Sequence, residues 1–129
     1  MQFTMQAHQW LRSHLTEGDV VLDATAGNGH DTLFLARCVG PTGTVYAVDN
    51  QPLALRRTAQ LLHDHQAGQA VQFLLTSHDE FDRLLPPEHE RKIKAAMFNL
   101  GYLPRGDKTW TTRPESTCRA LERMWQWLR

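Results

Sequence analysis

Asp23-Ala-Thr-Ala-Gly-Asn-Gly-His-Asp-Thr32 follows the apolar stretch Val20-Val21-Leu22 and leads into Leu33-Phe34-Leu35-Ala36. The order reads as a strand, a tight turn with two glycines, then a helix. Gly27 and Gly29 lack a Cβ, so the turn can take dihedrals closed to other residues and let a ligand approach the backbone. The helix after it presents unpaired N–H groups and a partial positive charge, a seat for an anion or a polar ligand. A dinucleotide site has the spacing Gly-x-Gly-x-x-Gly, its third glycine admitting close helix–strand packing. Position 32 here is Thr, and Asp23, four residues before the first glycine, would set negative charge beside any pyrophosphate. A ligand with a cationic amine and a sulfonium suits this loop better.

The other half of the pattern lies some twenty residues on. Gly43-Thr-Val-Tyr-Ala-Val-Asp49 is an apolar run ending in a carboxylate, where nucleotide-binding α/β units place an acid against ribose hydroxyls. Charge-assisted bonds of that kind are the stronger ones. A ribose and a sulfonium together point to S-adenosylmethionine (SAM). The alternatives are a βαβ unit whose glycines serve only the turn, and a nicotinamide-dependent oxidoreductase, against which the missing third glycine and Asp23 both count.

At 129 residues the chain is expected to form a single domain able to bury a core. Its 14 basic and 14 acidic residues balance, so no global field advertises a nucleic-acid partner. Residues 105–129 nevertheless hold six basic against three acidic side chains, which fits either guidance of a phosphate-bearing substrate or a solvated helix face. Cys38 and Cys118 sit in apolar helical patterns, which suggests buried thiols and a cytoplasmic setting rather than a disulfide framework. The sequence shows neither a signal-peptide core nor a stretch of transmembrane length, so no membrane is expected as a partner.

Phe3, Ala7, Trp10, Leu11 and His14 mark the apolar face of a first helix closing near Gly18. Strands are expected over 19–23, 44–49, 70–75 and 93–99. Helices are expected over 30–38, from Pro52 to Gly68 with the face Leu55, Ala59, Leu62 and Gln66, over 79–85 up to Pro86-Pro87, and from Pro114 to Arg129. Alternation of strands and helices implies a parallel α/β sheet, here of order 3-2-1-4, with ligands beyond the carboxyl ends of the strands. The last helix is expected to carry a broad apolar face including Trp125 and Trp127, and the fourth strand to lack an outer neighbour. Both features suggest that the fold is incomplete at its C-terminal end, or that the chain self-associates, for instance as a homodimer. His63 and His65, two apart on a helix, face different ways and make a poor metal site.

A second constellation follows the fourth strand: Phe98-Asn99-Leu-Gly-Tyr-Leu-Pro104. A methyl acceptor amine must aim its lone pair at the methyl carbon, so acceptors must hold its hydrogens. The Asn99 side-chain oxygen and adjacent carbonyls are uncharged acceptors of that kind, and Tyr102 can stack on a base. A surface loop with Asn as turn former and Tyr as packing accounts for the same residues.

Together, residues 23–32, Val48-Asp-Asn-Gln51, Thr76-Ser-His78 and Asn99-Leu-Gly-Tyr-Leu-Pro-Arg-Gly-Asp-Lys108 resemble the small class I methyltransferases long labelled rRNA methylases. Members are associated with methylating the 5-aminomethyl group of the wobble uridine in bacterial tRNA. The resemblance implies a Rossmann-like fold, SAM as cofactor and an RNA substrate, with the tRNA anticodon region as target. It also implies that Asn28, Asp31 and Thr32 join Gly27 and Gly29 around the methionine moiety, with Asp23 and Thr25 of the same loop also expected to bind the cofactor. Asp49 and Gln51 would hold the ribose, with Ser77 and His78 near the adenine, although His78 reads equally well as a plain helix-start residue. Asn99, Gly101 and Tyr102 would line the methyl-transfer site, with Asn99 and Gly101 also touching the cofactor and Asn99 and Tyr102 as catalytic residues. Asn50 stands where the family has an apolar residue, Arg105 where it has Gly, and the family's downstream Tyr-x-Gly-His segment is not in these 129 residues. A SAM-binding chain without turnover is therefore the third reading.

Overall fold

A computed structural model describes residues 2–77, 80–97 and 127–128, with side chains described from His8 onward. Among them, helix α1 (Gln2–His14), strand β1 (Val20–Asp23), helix α2 (His30–Val39), strand β2 (Thr44–Asp49), helix α3 (Pro52–Asp64), strand β3 (Val71–Leu75) and strand β4 (Ile93–Met97) follow one another. The strands pair in parallel in the order β3-β2-β1-β4, as the alternation predicts. Both faces of β1 and β2 are covered, which is why Val20-Val21-Leu22 and Val45-Tyr-Ala-Val48 read as continuous apolar runs.

Period-two alternation divides those runs between two cores. Val21 and Val45 face Leu11 and Leu15, α2 through Leu33, Leu35 and Val39, and Leu62 of α3. Leu22, Tyr46 and Val48 face the other way, onto Phe81, Leu85, Ile93 and Trp127. That opposite cover comes from residues beyond β3, including a single 3-10 turn, Phe81–Arg83, where the sequence suggested a helix over 79–85. Pro87, expected to stop that helix, instead opens a second 3-10 turn, Pro87–His89.

Several expected features change. Among the described side chains of α1 the buried one is Leu11, followed just beyond the helix by Leu15, while the side chains of Phe3 and Ala7 lie outside the description. Trp10 is 58% exposed and stacks on His14, so both lie off the packed face. On α3 the buried positions are Thr58 and Leu62, and Ala59 is exposed. That helix stops at Asp64, short of Gly68. Gln66 takes the left-handed conformation at φ 54°, and the N–H groups of Gln66 and Ala67 bond back to the carbonyls of His63 and Leu62. This is a Schellman ending with Gln where glycine is usual, so the glycine signal pointed too far along the chain.

The largest correction is at the far end. Trp127 lies in a turn and Leu128 forms a parallel bridge with Ile93, the Ile93 N–H donating to the Trp127 carbonyl at 3.0 Å. The expected helix therefore does not run through Trp127 and Leu128. At Ile93 the outer edge of β4 has a neighbour from its own chain, and Trp127 is 5% exposed rather than uncovered. Residues 98–126, which include Phe98 and Asn99 of the expected fourth strand, Cys118 and Trp125, lie outside the described residues.

Candidate cofactor site

The carboxyl ends of β1 and β2 build the site. Past Asp23 the chain is clamped between neighbouring strands, the Ala24 N–H donating to the Met97 carbonyl and the Ala26 N–H to the Val48 carbonyl, each at 2.8 Å. Gly27 (φ 56°) and Gly29 (φ 91°) then turn it into α2. The two glycines do different work. A Cβ on Gly27 would meet only the Thr25 carbonyl oxygen, at 3.9 Å, so the space beside it is open to a ligand. A Cβ on Gly29 would lie 2.9 Å from Thr58 Cα, so this glycine lets α3 approach the loop.

Asp49 joins the loop to the second strand. Its Oδ2 accepts the Gly27 N–H and its Oδ1 the Gln51 N–H, both at 3.0 Å. Each carboxylate oxygen keeps acceptor capacity beyond one bond, so the half-buried group is oriented yet able to take two hydroxyls. Thr58 Oγ1 reaches the Ala54 and Gly27 carbonyls at 2.9 and 3.3 Å, tying α3 to the same turn. Gln51 is the exposed residue before α3, Asn28 is exposed, and Ser77 is half-buried.

Asp23 is fully buried. Its Oδ2 accepts the Thr32 hydroxyl at 2.7 Å and its Oδ1 the Thr25 N–H at 3.1 Å. Desolvation pushes its pKa up to about 6 against the pull of those two bonds, and the charges of Asp31 and Asp49 push the same way. The sequence reading places Asp23 beside the cofactor; in the structure it has no exposed surface and braces the loop from beneath. Thr32 and Thr25 are its partners in that bracing.

Asp31, in the first turn of α2, bonds His8 Nε2 at 2.7 Å, and the His8 ring stacks on Phe34 at 3.8 Å between centroids. Sequence reasoning missed both His8 and Thr58. His8 lies 23 residues before its partner and carries no local signal. Thr58 sits mid-helix, a position that reads as helix packing. Gly29 stands at the N-cap of α2 and no side chain caps it, which leaves the first-turn N–H groups without a capping acceptor. His78, Asn99, Gly101 and Tyr102 lie outside the described residues. The described residues contain no cluster of metal-ligating groups.

An oriented carboxylate at the β2 end, an open glycine, an uncapped helix start and three carboxylates around one loop suit a ligand with a diol and positive charge. The model of the family described as "Putative rRNA methylase" matches residues 45–129. The chain belongs to this rRNA methylase family. A second model, for protein-L-isoaspartate O-methyltransferases, matches residues 2–78, the part that holds the glycine loop and Asp49.

Among curated proteins, the chain is 35% identical over 128 residues to a "tRNA (mnm(5)s(2)U34)-methyltransferase, chloroplastic" of Arabidopsis thaliana, covering 92% of this chain and 46% of that protein. Among solved structures, a "putative rRNA-methylase" from Clostridium thermocellum is 40% identical with a TM-score of 0.86. A "putative methyltransferase" from Streptococcus mutans, in complex with SAH, is 33% identical with a TM-score of 0.80. The chain spans about half the length of the curated relative and 66% of each of these two structures, which cover 98% of it. The fold is the Rossmann-like class I methyltransferase fold.

Proposed function

We propose that this chain is a SAM-dependent N-methyltransferase acting on RNA, its target the 5-aminomethyl group of the wobble uridine in the tRNA anticodon. The observation that carries the cofactor is the Asp49 carboxylate, held at the end of β2 by the Gly27 and Gln51 N–H groups. The name of the Arabidopsis relative supports the substrate. When bound, SAM supplies a methyl group on a sulfonium, so the protein needs no nucleophile of its own.

Asp49 and Gln51 hold the ribose hydroxyls. Gly27, Asn28 and Asp31 surround the methionine end, with Thr25, Thr32 and Asp23 behind them, and Ser77 and His78 flank the adenine. Asn99 and the Gly101 backbone accept hydrogens of the substrate amine so that its lone pair faces the methyl carbon. Tyr102 stacks on the base. The contribution of these groups is position and orientation. An alkylammonium substrate first loses a proton, which goes to water. The free, half-buried Cys38 thiol fits a reducing, cytoplasmic setting, and among the described residues no helix is long and apolar enough to cross a membrane.

Calorimetry with SAM and with NAD, followed by transfer of labelled methyl from SAM to tRNA with and without the 5-aminomethyl group, tests the reading. The expected result is SAM binding and label on aminomethyl tRNA alone. Preference for NAD overturns the cofactor, and SAM binding without transfer leaves a cofactor-binding chain with no turnover.

A further inference from the structure

A groove between α1 and α2, of about 430 Å3, opens next to the cofactor loop. Arg12, Arg37, His8 and His30 line it, with Phe34 among them, and no acidic side chain does, although the chain has as many acids as bases. The lining groups are held in place, His8 by its bond to Asp31 at 2.7 Å. The Arg12 guanidinium sits 5.5 Å from the Phe34 centroid, and His8 stacks on the same ring. Arg37 donates to His65 Nδ1 at 3.1 Å, which among the described residues leaves most of its N–H donors for a ligand. His30 and Arg37 stand two turns apart on α2, about 10 Å along the axis. The groove therefore sets its donor groups along a line rather than at a point. Its upper end is His30, beside Asp31 of the cofactor loop. Guanidinium forks match phosphate oxygens in shape as well as charge.

We propose that this groove carries the phosphate backbone of the RNA substrate up to the cofactor loop, an inference that rests on the RNA reading above. Arg12 and Arg37 bind phosphates. Neither residue belongs to the cofactor site, so RNA and SAM binding separate by mutation.

The test is fluorescence anisotropy of a labelled tRNA transcript over a salt series, using the full chain. Three proteins are compared: wild type, Arg12→Gln/Arg37→Gln, and a control, Arg56→Gln/Arg83→Gln, which removes two exposed arginines that do not line the groove. The groove variant is expected to bind tRNA about ten-fold or more weakly at low salt, with a salt slope reduced by about 1 to 2, as loss of one or two phosphate contacts requires. Arg12→Lys/Arg37→Lys should recover part of the loss. SAM affinity by calorimetry should be the same in all. If wild type and groove variant bind tRNA alike, or the control loses as much, the groove is overturned while the RNA reading stands. Failure of the wild type to bind tRNA overturns both. Displacement of tRNA by polyglutamate at equal charge concentration makes the groove a site for acidic protein and overturns it as an RNA site.

Discussion

Replacing Asp23 with Asn should make the protein more stable at neutral pH and a poorer binder of SAM. Asp23 is fully buried, and desolvation lifts its pKa from 3.8 to about 6. A carboxyl whose folded pKa exceeds its unfolded one is held more tightly as the neutral acid, so above about pH 6 its ionisation works against folding. Two pKa units correspond to about 3 kcal/mol. This cost is absent below about pH 4, grows between about pH 4 and 6, and is complete above. Asn is nearly isosteric with the neutral acid. Its Oδ1 can accept the Thr25 N–H, and its Nδ2 can donate to the Thr32 hydroxyl, which then acts as acceptor.

Urea unfolding of both proteins from pH 4 to 8 isolates the effect, because other titrations cancel in the difference. Asp23→Asn should be more stable by up to about 3 kcal/mol at pH 8, and the two curves should converge near pH 4. In the same samples SAM should bind the variant more weakly at pH 8, where the wild type offers a full negative charge, and the gap should narrow as pH falls through 6. A variant that is less stable than wild type at pH 8, or a difference that does not change with pH, would refute the assignment of Asp23 as a destabilising charge kept for the ligand.

Asp49→Ala should cost about 1.5–3 kcal/mol for each charged bond lost to the ribose, read by calorimetry as a loss of ten-fold or more in SAM affinity; an unchanged dissociation constant removes Asp49 from the site. Gly29→Ala should lower the melting temperature more than Gly27→Ala, because both are strained at positive φ but only the Gly29 Cβ runs into the Thr58 backbone. Gly27→Val should instead damage SAM binding at least as much as Asp49→Ala. His8→Ala should raise KM for SAM by releasing Asp31, at about 1 kcal/mol, with His8→Gln restoring part of it; equal KM values for all three proteins would make His8 a packing residue. Asn99→Ala should lower kcat and leave SAM affinity nearly unchanged, as expected of a group that acts on the amine during transfer.

Local patterning carried most of the architecture. The apolar runs at Val20–Asp23 and Thr44–Asp49, each ending in a carboxylate, and the glycines between them specify a βαβ unit, and strand alternation specifies a parallel sheet with strand one inside. These features are legible because period, turn chemistry and strand ends are properties of neighbours in sequence. Where they failed, a tertiary contact outweighed the local signal: Gln66 rather than Gly68 ends α3, and Trp127 leaves the helical pattern to fill the core over Phe81 and Ile93. The same holds within the site. The residue types at 23, 27, 29, 31 and 49 named a cofactor loop. Only packing decided that Gly29 faces Thr58, that Asp23 is sealed under Thr32, and that His8 reaches across from α1 to hold Asp31. Burial and long-range approach set those roles, and neither is written into the spacing of residues along a chain.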